Sequence, residues 1–127
     1  MMIINCEVSL GELVDKLSIL KIKSQKISDL EKLIHISKEA ESLNKTLNGL
    51  NLDGIDFHLE QMIEINLKLW KIEDDIRDCE KNKIFDQVFI ELARAVYVTN
   101  DERFKRKNVI NMNYKSGLVE VKSYQNY

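Results

Sequence analysis

The 127-residue chain contains no proline and only four glycines. Proline interrupts the interior of a helix, whereas the turns of β proteins depend on proline and glycine. A chain with so few of either residue therefore favours long helices. Three capping boxes mark where helices are expected to begin: Ser9-Leu10-Gly11-Glu12, Ser28-Asp29-Leu30-Glu31 and Thr99-Asn100-Asp101-Glu102.

Apolar residues recur every three or four positions after these signals, which is the helical period. The pattern predicts five helices, which run from Ser9 to a break near Ser28, from there to about Leu47, from Asp56 to about Lys81, from about Asp86 to Val98, and from Thr99 to about Asn111. The segment from Asn48 to Gly54 is the clearest loop. Whether residues 9–47 form one bent helix or a hairpin of two stays open.

Both ends of the chain alternate between apolar and polar residues, as short strands do. Ile4, Cys6 and Val8 alternate with polar residues near the start, and Val119 and Val121 alternate with charged residues near the end. A chain of this length is expected to build one core. The predicted fold is therefore mostly α, a single domain over residues 1–127. It is a bundle of four to five helices with a small two-stranded ribbon that pairs the N- and C-terminal segments.

Several classes of function find no support in the sequence. No signal peptide and no apolar run of membrane-spanning length occurs, so we expect a cytoplasmic protein without a membrane partner. Cys6 and Cys79 match no metal or redox spacing and are expected to be free. Glu12 and Asp15 fit half of a magnesium motif whose other half is missing. No cofactor and no metal is predicted.

The third helix carries charged residues on its apolar side. At 100° per residue, Leu59, Met62, Leu69, Trp70 and Ile76 define an inward arc that also contains Asn66, Glu73, Arg77 and Glu80. A charge that faces a core must be paired or reached by water. We therefore expect Glu73 and Arg77 to be largely buried, each with a charged or amide partner.

The following helices supply further polar residues for the same region. Arginine is rare in this lysine-rich chain, and all four arginines lie between positions 77 and 106. The candidate binding residues are Asn66, Glu73, Arg77, Arg94, Tyr97, Asn100, Arg103, Lys107 and Asn111. They predict either a polar pocket for a small anionic ligand or a structural network that fixes how the helices pack.

Four segments of the chain together resemble a known family. They are Glu7 to Leu17, Asn66 to Arg77 with the pattern N-x-x-L-W-x-I-E-x-x-I-R, Leu92 to Asp101, and Glu120 to Tyr124. The chain resembles an uncharacterised domain-of-unknown-function family of short helical proteins from bacteria and viruses. The resemblance implies a complete chain, and it supplies no activity and no catalytic residue.

Two functions remain after these exclusions. The first is a non-catalytic binding or assembly module that forms a homo-oligomer through Ile19 and Ile22, which share the outer row of the first helix with Asp15 and Lys26. The alternative is an enzyme or binding protein for a phosphorylated or carboxylated small molecule, with its pocket around Glu73 and Arg77. Whether the protein is an enzyme stays open. Nucleic-acid binding through the basic run at residues 103–107 ranks third, because residues 100–127 carry six basic and three acidic residues, and a net charge of +3 is too weak to indicate it.

Overall fold

The computed structural model describes residues 1–126, and they form four helices. The helices are α1 (Leu10–Lys26), α2 (Leu30–Gly49), α3 (Ile55–Lys81) and α4 (Gln87–Asn113). They comprise 17, 20, 27 and 27 residues, so the chain is mostly α, as predicted. None of these helices combines the length and apolar character that crossing a bilayer requires.

Local capping explains where α1 and α2 begin. The Ser9 hydroxyl accepts the Glu12 N–H at 3.2 Å, and the Asp29 carboxylate accepts the N–H groups of Glu31 and Lys32. Residues 9–47 therefore form two separate helices that pack against each other, which resolves the alternative that the sequence left open. The predicted cap of the third helix, Asp56, is wrong, because α3 is preceded by Gly54 in a left-handed conformation, two residues earlier, and Asp56 lies in its first turn.

The core lies around α1, which packs against each of the other three helices. Leu13, Val14 and Leu17 of α1 are buried together with Met62 of α3 and Ile110 of α4. We call this part of the molecule the body: α1, α2, residues 55–72 of α3 and residues 99–113 of α4. Residues 73–98 form the arm, a hairpin of the end of α3 and the start of α4 in which no residue is buried.

The predicted break at Thr99 is wrong, because α4 continues through it. Thr99 is 1% exposed, and it lies inside α4, which packs against α3. A capping box starts a helix only where the preceding backbone is not already helical. Packing of α4 against α3 therefore overrides the local signal.

The predicted two-stranded ribbon is also wrong, since none of residues 1–126 is in a strand. The C-terminal segment instead follows α4, with Glu120 paired to Lys107 at 2.6 Å and Lys122 paired to Asp101 at 3.6 Å. These ion pairs hold the polar side of the segment against the helix. An isolated two-stranded ribbon is only marginally stable in water, so the C-terminal segment is more stable when its charged side chains pair with α4.

Candidate functional site

A buried carboxylate joins three helices at one side of the body. Asp15 of α1 is 1% exposed, and its two oxygens accept the Nε–H of Arg103 at 2.8 Å and an Nη2–H at 2.5 Å. The pair is bidentate, the strongest arrangement of these two groups. The hydrogen bonds from Arg103 to Asp15 raise the pKa of the guanidinium above its ordinary value, although partial burial opposes the shift.

Asn66 of α3 completes this network. Its amide nitrogen donates to Asp15 Oδ1 at 2.9 Å and to the Ser18 hydroxyl at 2.7 Å. The Ser18 hydroxyl in turn donates to the Asp15 carbonyl at 2.6 Å. Asn100 accepts a third hydrogen bond from Arg103, at 3.4 Å from Nη1. Each buried polar group named here therefore has a partner, and the guanidinium is held in one orientation.

A second polar cluster fixes the start of α1 against α4. The Gly11 N–H donates to Asn111 Oδ1 at 2.7 Å, and Lys107 lies between Glu12 at 3.4 Å and Glu120 at 2.6 Å. A Cβ on Gly11 would lie 2.6 Å from the Lys107 carbonyl oxygen, so only glycine permits this approach of the two helices. Lys107 and Asn111 are 7% and 1% exposed, so both side chains lie between the helices.

A recess of about 440 Å³ opens beside the Asp15 network, between α1, α3 and α4. Ile19, Ile22, Leu69 and Trp70 form its apolar wall, and its polar lining is Asn66, Glu73, Asp74, Arg77 and Arg103. Trp70 is the single tryptophan of the chain. The recess thus combines an aromatic surface with two guanidinium groups and two carboxylates, a composition suited to a ligand with both apolar and charged parts.

The prediction that Glu73 and Arg77 are largely buried is wrong. Their side chains are 41% and 79% exposed, and Arg77 Nη2 lies 3.9 Å from Glu73 Oε2. Both residues belong to the arm, beyond the part of α3 that α1 covers. The helical wheel gave the correct direction, because both residues line the recess with Trp70, but it assumed a covering helix along the whole of α3.

The other predicted site residues do not converge on one place. Asn66 and Arg103 line the recess, whereas Tyr97 and Asn100 line a separate recess of about 420 Å³ beside the C-terminal segment. Arg94 is exposed on the arm and lines neither recess. The predicted single pocket therefore divides into a recess at Trp70, the Lys107 cluster and a second recess at Tyr97.

Asp15 is the central residue that the sequence interpretation missed. The helical period predicts Asp15, Ile19 and Ile22 on an outer row of α1, yet Asp15 and Ile22 are each 1% exposed and Ile19 lines the recess. The error arises because α1 is surrounded by three helices, so it buries two sides and not one. The signal was a row of small residues, Gly11 and Ser18, with Asp15 between them at helical spacing.

The basic run at residues 103–107 does not form a cationic surface. Arg103 and Lys107 are paired inside the body, and Arg106 donates to the Gln61 carbonyl and lies 3.8 Å from Glu64. Lys105 is the exposed member of the run. Among residues 1–126, no group of three or more His, Cys, Asp or Glu residues is arranged to hold a metal ion.

Comparison with known proteins gives a family for the chain and nothing more detailed. The chain belongs to a family of unknown function, DUF6165, and the match extends over residues 4–127. The predicted resemblance to an uncharacterised domain family is confirmed at that level. No curated protein and no solved structure matches the chain significantly.

Proposed function

We propose that this member of a family of unknown function is a non-catalytic binding module for a small carboxylated or phosphorylated molecule. The site is the recess between α1, α3 and α4. The observation that carries the proposal is Arg103, which lines the recess while the buried Asp15 fixes its guanidinium. A volume of about 440 Å³ lies within the range of small-molecule sites.

The hydrogen bonds of Arg103 leave donors for an anion. A guanidinium has five N–H groups, of which Nε and one N–H of Nη2 bind Asp15 and one N–H of Nη1 binds Asn100. One N–H on each Nη atom therefore remains. A carboxylate or phosphate group accepts two such N–H groups at once. Because Asp15 already orients the guanidinium, little side-chain entropy is lost when an anion binds.

The rest of the recess sets the shape of the ligand. Trp70, Leu69 and Ile19 offer an apolar surface next to Arg103. Arg77 lies eleven residues after Asn66 on α3, which is about 16 Å along the helix. Its 3.9 Å pair with Glu73 is exposed and weak, so its guanidinium is free to turn to a ligand. The favoured ligand has an anionic group, an apolar or aromatic body and a second polar group at the far end.

The lining supports binding over catalysis. Among the described residues, no serine, cysteine, histidine or lysine lines the recess, so its candidate nucleophiles are limited to carboxylates. Asp15 is a poor candidate for a general base, because both of its oxygens are bonded to Arg103. Glu73 and Asp74 are the remaining carboxylates, and we assign them to ligand recognition at the mouth of the recess.

Trp70 supplies a direct test, because it is the single tryptophan and lies in the proposed site. Aromatic and aliphatic carboxylates, nucleoside monophosphates and sugar phosphates are titrated against the protein, with Trp70 fluorescence and melting temperature as readouts. A ligand of the folded state changes the fluorescence and raises the melting temperature. If no compound changes either readout, the proposal is wrong.

Two matched arginine variants locate the binding. Arg77→Gln is expected to weaken the binding of a ligand from this panel about tenfold, which corresponds to about 1.4 kcal/mol. Arg94→Gln is the control, since Arg94 is also an exposed arginine but lines neither recess. Ile19→Glu places a charge on the apolar wall and is expected to abolish binding. Equal affinities in all three variants would move the site away from this recess.

A further inference from the structure

The residues of α3 that line the recess form one stripe along the helix. They are Asn66, Leu69, Trp70, Glu73, Asp74 and Arg77. Steps of three and four residues keep side chains on the same face of a helix. A ligand that lies along α3 therefore meets an amide first, then an apolar and aromatic surface, and then a pair of carboxylates.

The first end of the stripe suits a carboxylate that has an N–H group beside it. Arg103 and Asn66 lie next to each other there, because both donate to Asp15 Oδ1, at 2.8 and 2.9 Å. Arg103 keeps one N–H on each Nη atom for a carboxylate. Among the described residues, both hydrogen bonds of the Asn66 side chain come from its amide nitrogen, so its amide oxygen is left as an acceptor. A carboxylate and a neighbouring amide N–H occur together at the C-terminal end of a peptide.

The other end of the stripe suits a cation. Asp74 is exposed and makes no hydrogen bond or ion pair with another residue among 1–126, whereas Glu73 lies 3.9 Å from Arg77. A carboxylate without a counter-charge that lines a recess is available to a positively charged group of a ligand.

The charge balance of the recess disfavours a ligand that is only anionic. Its lining carries two guanidinium groups, on Arg77 and Arg103, and two carboxylates, on Glu73 and Asp74. Asp15 adds a third carboxylate directly behind Arg103, so the region is net −1. A doubly charged phosphate would be repelled by three carboxylates, whereas a ligand with one charge of each sign is attracted at both ends.

The spacing of the two ends sets the length of the ligand. Asp74 lies eight residues after Asn66, which is about 12 Å along the helix axis. Helical side chains lean in the same direction, so this distance also approximates the distance between their polar ends. An extended peptide of two residues spans about 7 Å. A hydrogen bond of about 2.9 Å at each end extends that reach to about 13 Å, whereas one amino acid reaches only about 9 Å.

We propose that the recess binds a dipeptide with apolar side chains and two free termini, its carboxylate on Arg103 and its ammonium group on Asp74. The apolar side chains of the dipeptide lie against Trp70, Leu69 and Ile19. This inference rests on the binding module proposed above and names the chemical class of its ligand.

Four compounds test the proposal, with Trp70 fluorescence and isothermal titration calorimetry as readouts. Leucyl-leucine is expected to bind. Leucyl-leucine amide lacks the carboxylate for Arg103, N-acetyl-leucyl-leucine lacks the ammonium group for Asp74, and leucine is too short to reach both. Each of these three compounds is expected to bind about tenfold more weakly than leucyl-leucine, or not at all.

A pair of matched variants locates the ammonium group. Asp74→Asn is expected to weaken the binding of leucyl-leucine about threefold or more, because an exposed ion pair is of modest strength. The same change should leave the affinity for N-acetyl-leucyl-leucine unaltered, since that compound has no cation. Asp78→Asn is the control, because Asp78 is also exposed on α3 but does not line the recess. Circular dichroism confirms that both variants are folded.

The possible outcomes separate this inference from the proposed function. If N-acetyl-leucyl-leucine binds as tightly as leucyl-leucine, or if Asp74→Asn and Asp78→Asn affect binding equally, the dipeptide is the wrong ligand. The same holds if leucine binds as tightly as leucyl-leucine, or if leucyl-leucine fails to bind and a compound of the earlier panel succeeds. In each of these cases the recess remains a site for carboxylated or phosphorylated molecules. If no compound of either panel binds, both proposals are wrong.

Discussion

The helices α3 and α4 each pass through two regions, the body and the arm. In the body some polar and charged side chains are buried, whereas in the arm even large apolar side chains are exposed. In the body, Asp15, Asn66 and Lys107 are buried and hydrogen-bonded or ion-paired. In the arm, Phe85 and Val88 are exposed. The difference shows that a third helix, and not the residue types alone, decides which side chains leave water: α1 covers the body and ends before the arm.

The largest expected effect is loss of the buried carboxylate. Asp15→Ala leaves Arg103 without its counter-charge and removes one of the two acceptors of Asn66, so the free energy of unfolding should fall by about 3–5 kcal/mol. Urea denaturation measures the loss. Arg77→Ala in the arm is the matched variant, and removal of its exposed 3.9 Å ion pair should cost less than about 0.5 kcal/mol. Similar losses of stability in Asp15→Ala and Arg77→Ala would mean that water solvates the unpaired guanidinium of Arg103 well enough to replace its ion pair.

Two isoleucines of α4, one in the body and one in the arm, allow a direct comparison of how much apolar burial contributes to stability in each region. Ile110 in the body is 1% exposed, whereas Ile90 in the arm is 48% exposed. Ile110→Ala should lower the free energy of unfolding by about 2–5 kcal/mol, because it removes buried methyl groups and leaves a cavity. Ile90→Ala should cost less than about 0.5 kcal/mol at concentrations where the protein is monomeric. Denaturant melts at low protein concentration measure both, and equal costs would contradict the division into body and arm.

The smallest change in stability is expected when two glycines, Gly11 and Gly49, are each replaced by alanine. Gly11→Ala places a Cβ 2.6 Å from the Lys107 carbonyl oxygen, so α1 and α4 must separate, and we expect a loss of about 1–3 kcal/mol. Gly49→Ala at the end of α2 has no atom within 4 Å of the new Cβ. It should leave the protein unchanged or stabilise it by up to about 1 kcal/mol. Thermal melts measure both variants, and a neutral Gly11→Ala would show that the helix contact is looser than its geometry suggests.

The sequence predicted the local features well. Ser9 starts α1 as expected, and α2 begins one residue later than its predicted cap, at Asp29 instead of Ser28, because a cap depends on groups within three residues of each other. The polar residues of the third helix also lie on the predicted side, since Asn66, Glu73 and Arg77 all line the recess with Trp70. The helical period alone gives this direction.

The same reasoning failed wherever the answer depended on a distant element. A helical wheel gives the direction of a side chain but not whether another helix covers it, so Glu73 and Arg77 were expected to be buried and Asp15 to be exposed. The capping box at Thr99 is a valid local signal that packing of α4 against α3 overrides. The ribbon failed for the same reason, because Lys107 and Asp101 of α4 engage the C-terminal segment.

By itself the sequence determined that this protein is mostly helical, where most of its helices begin, and which family it belongs to. These properties depend on residue type and on contacts a few positions apart. Only the tertiary structure decided that Asp15 is the buried centre of a network with Arg103 and that the charged residues near Trp70 border an open recess. The physical reason is that burial depends on which parts of α3 and α4 are covered by α1, and that is decided by packing between segments far apart in the chain.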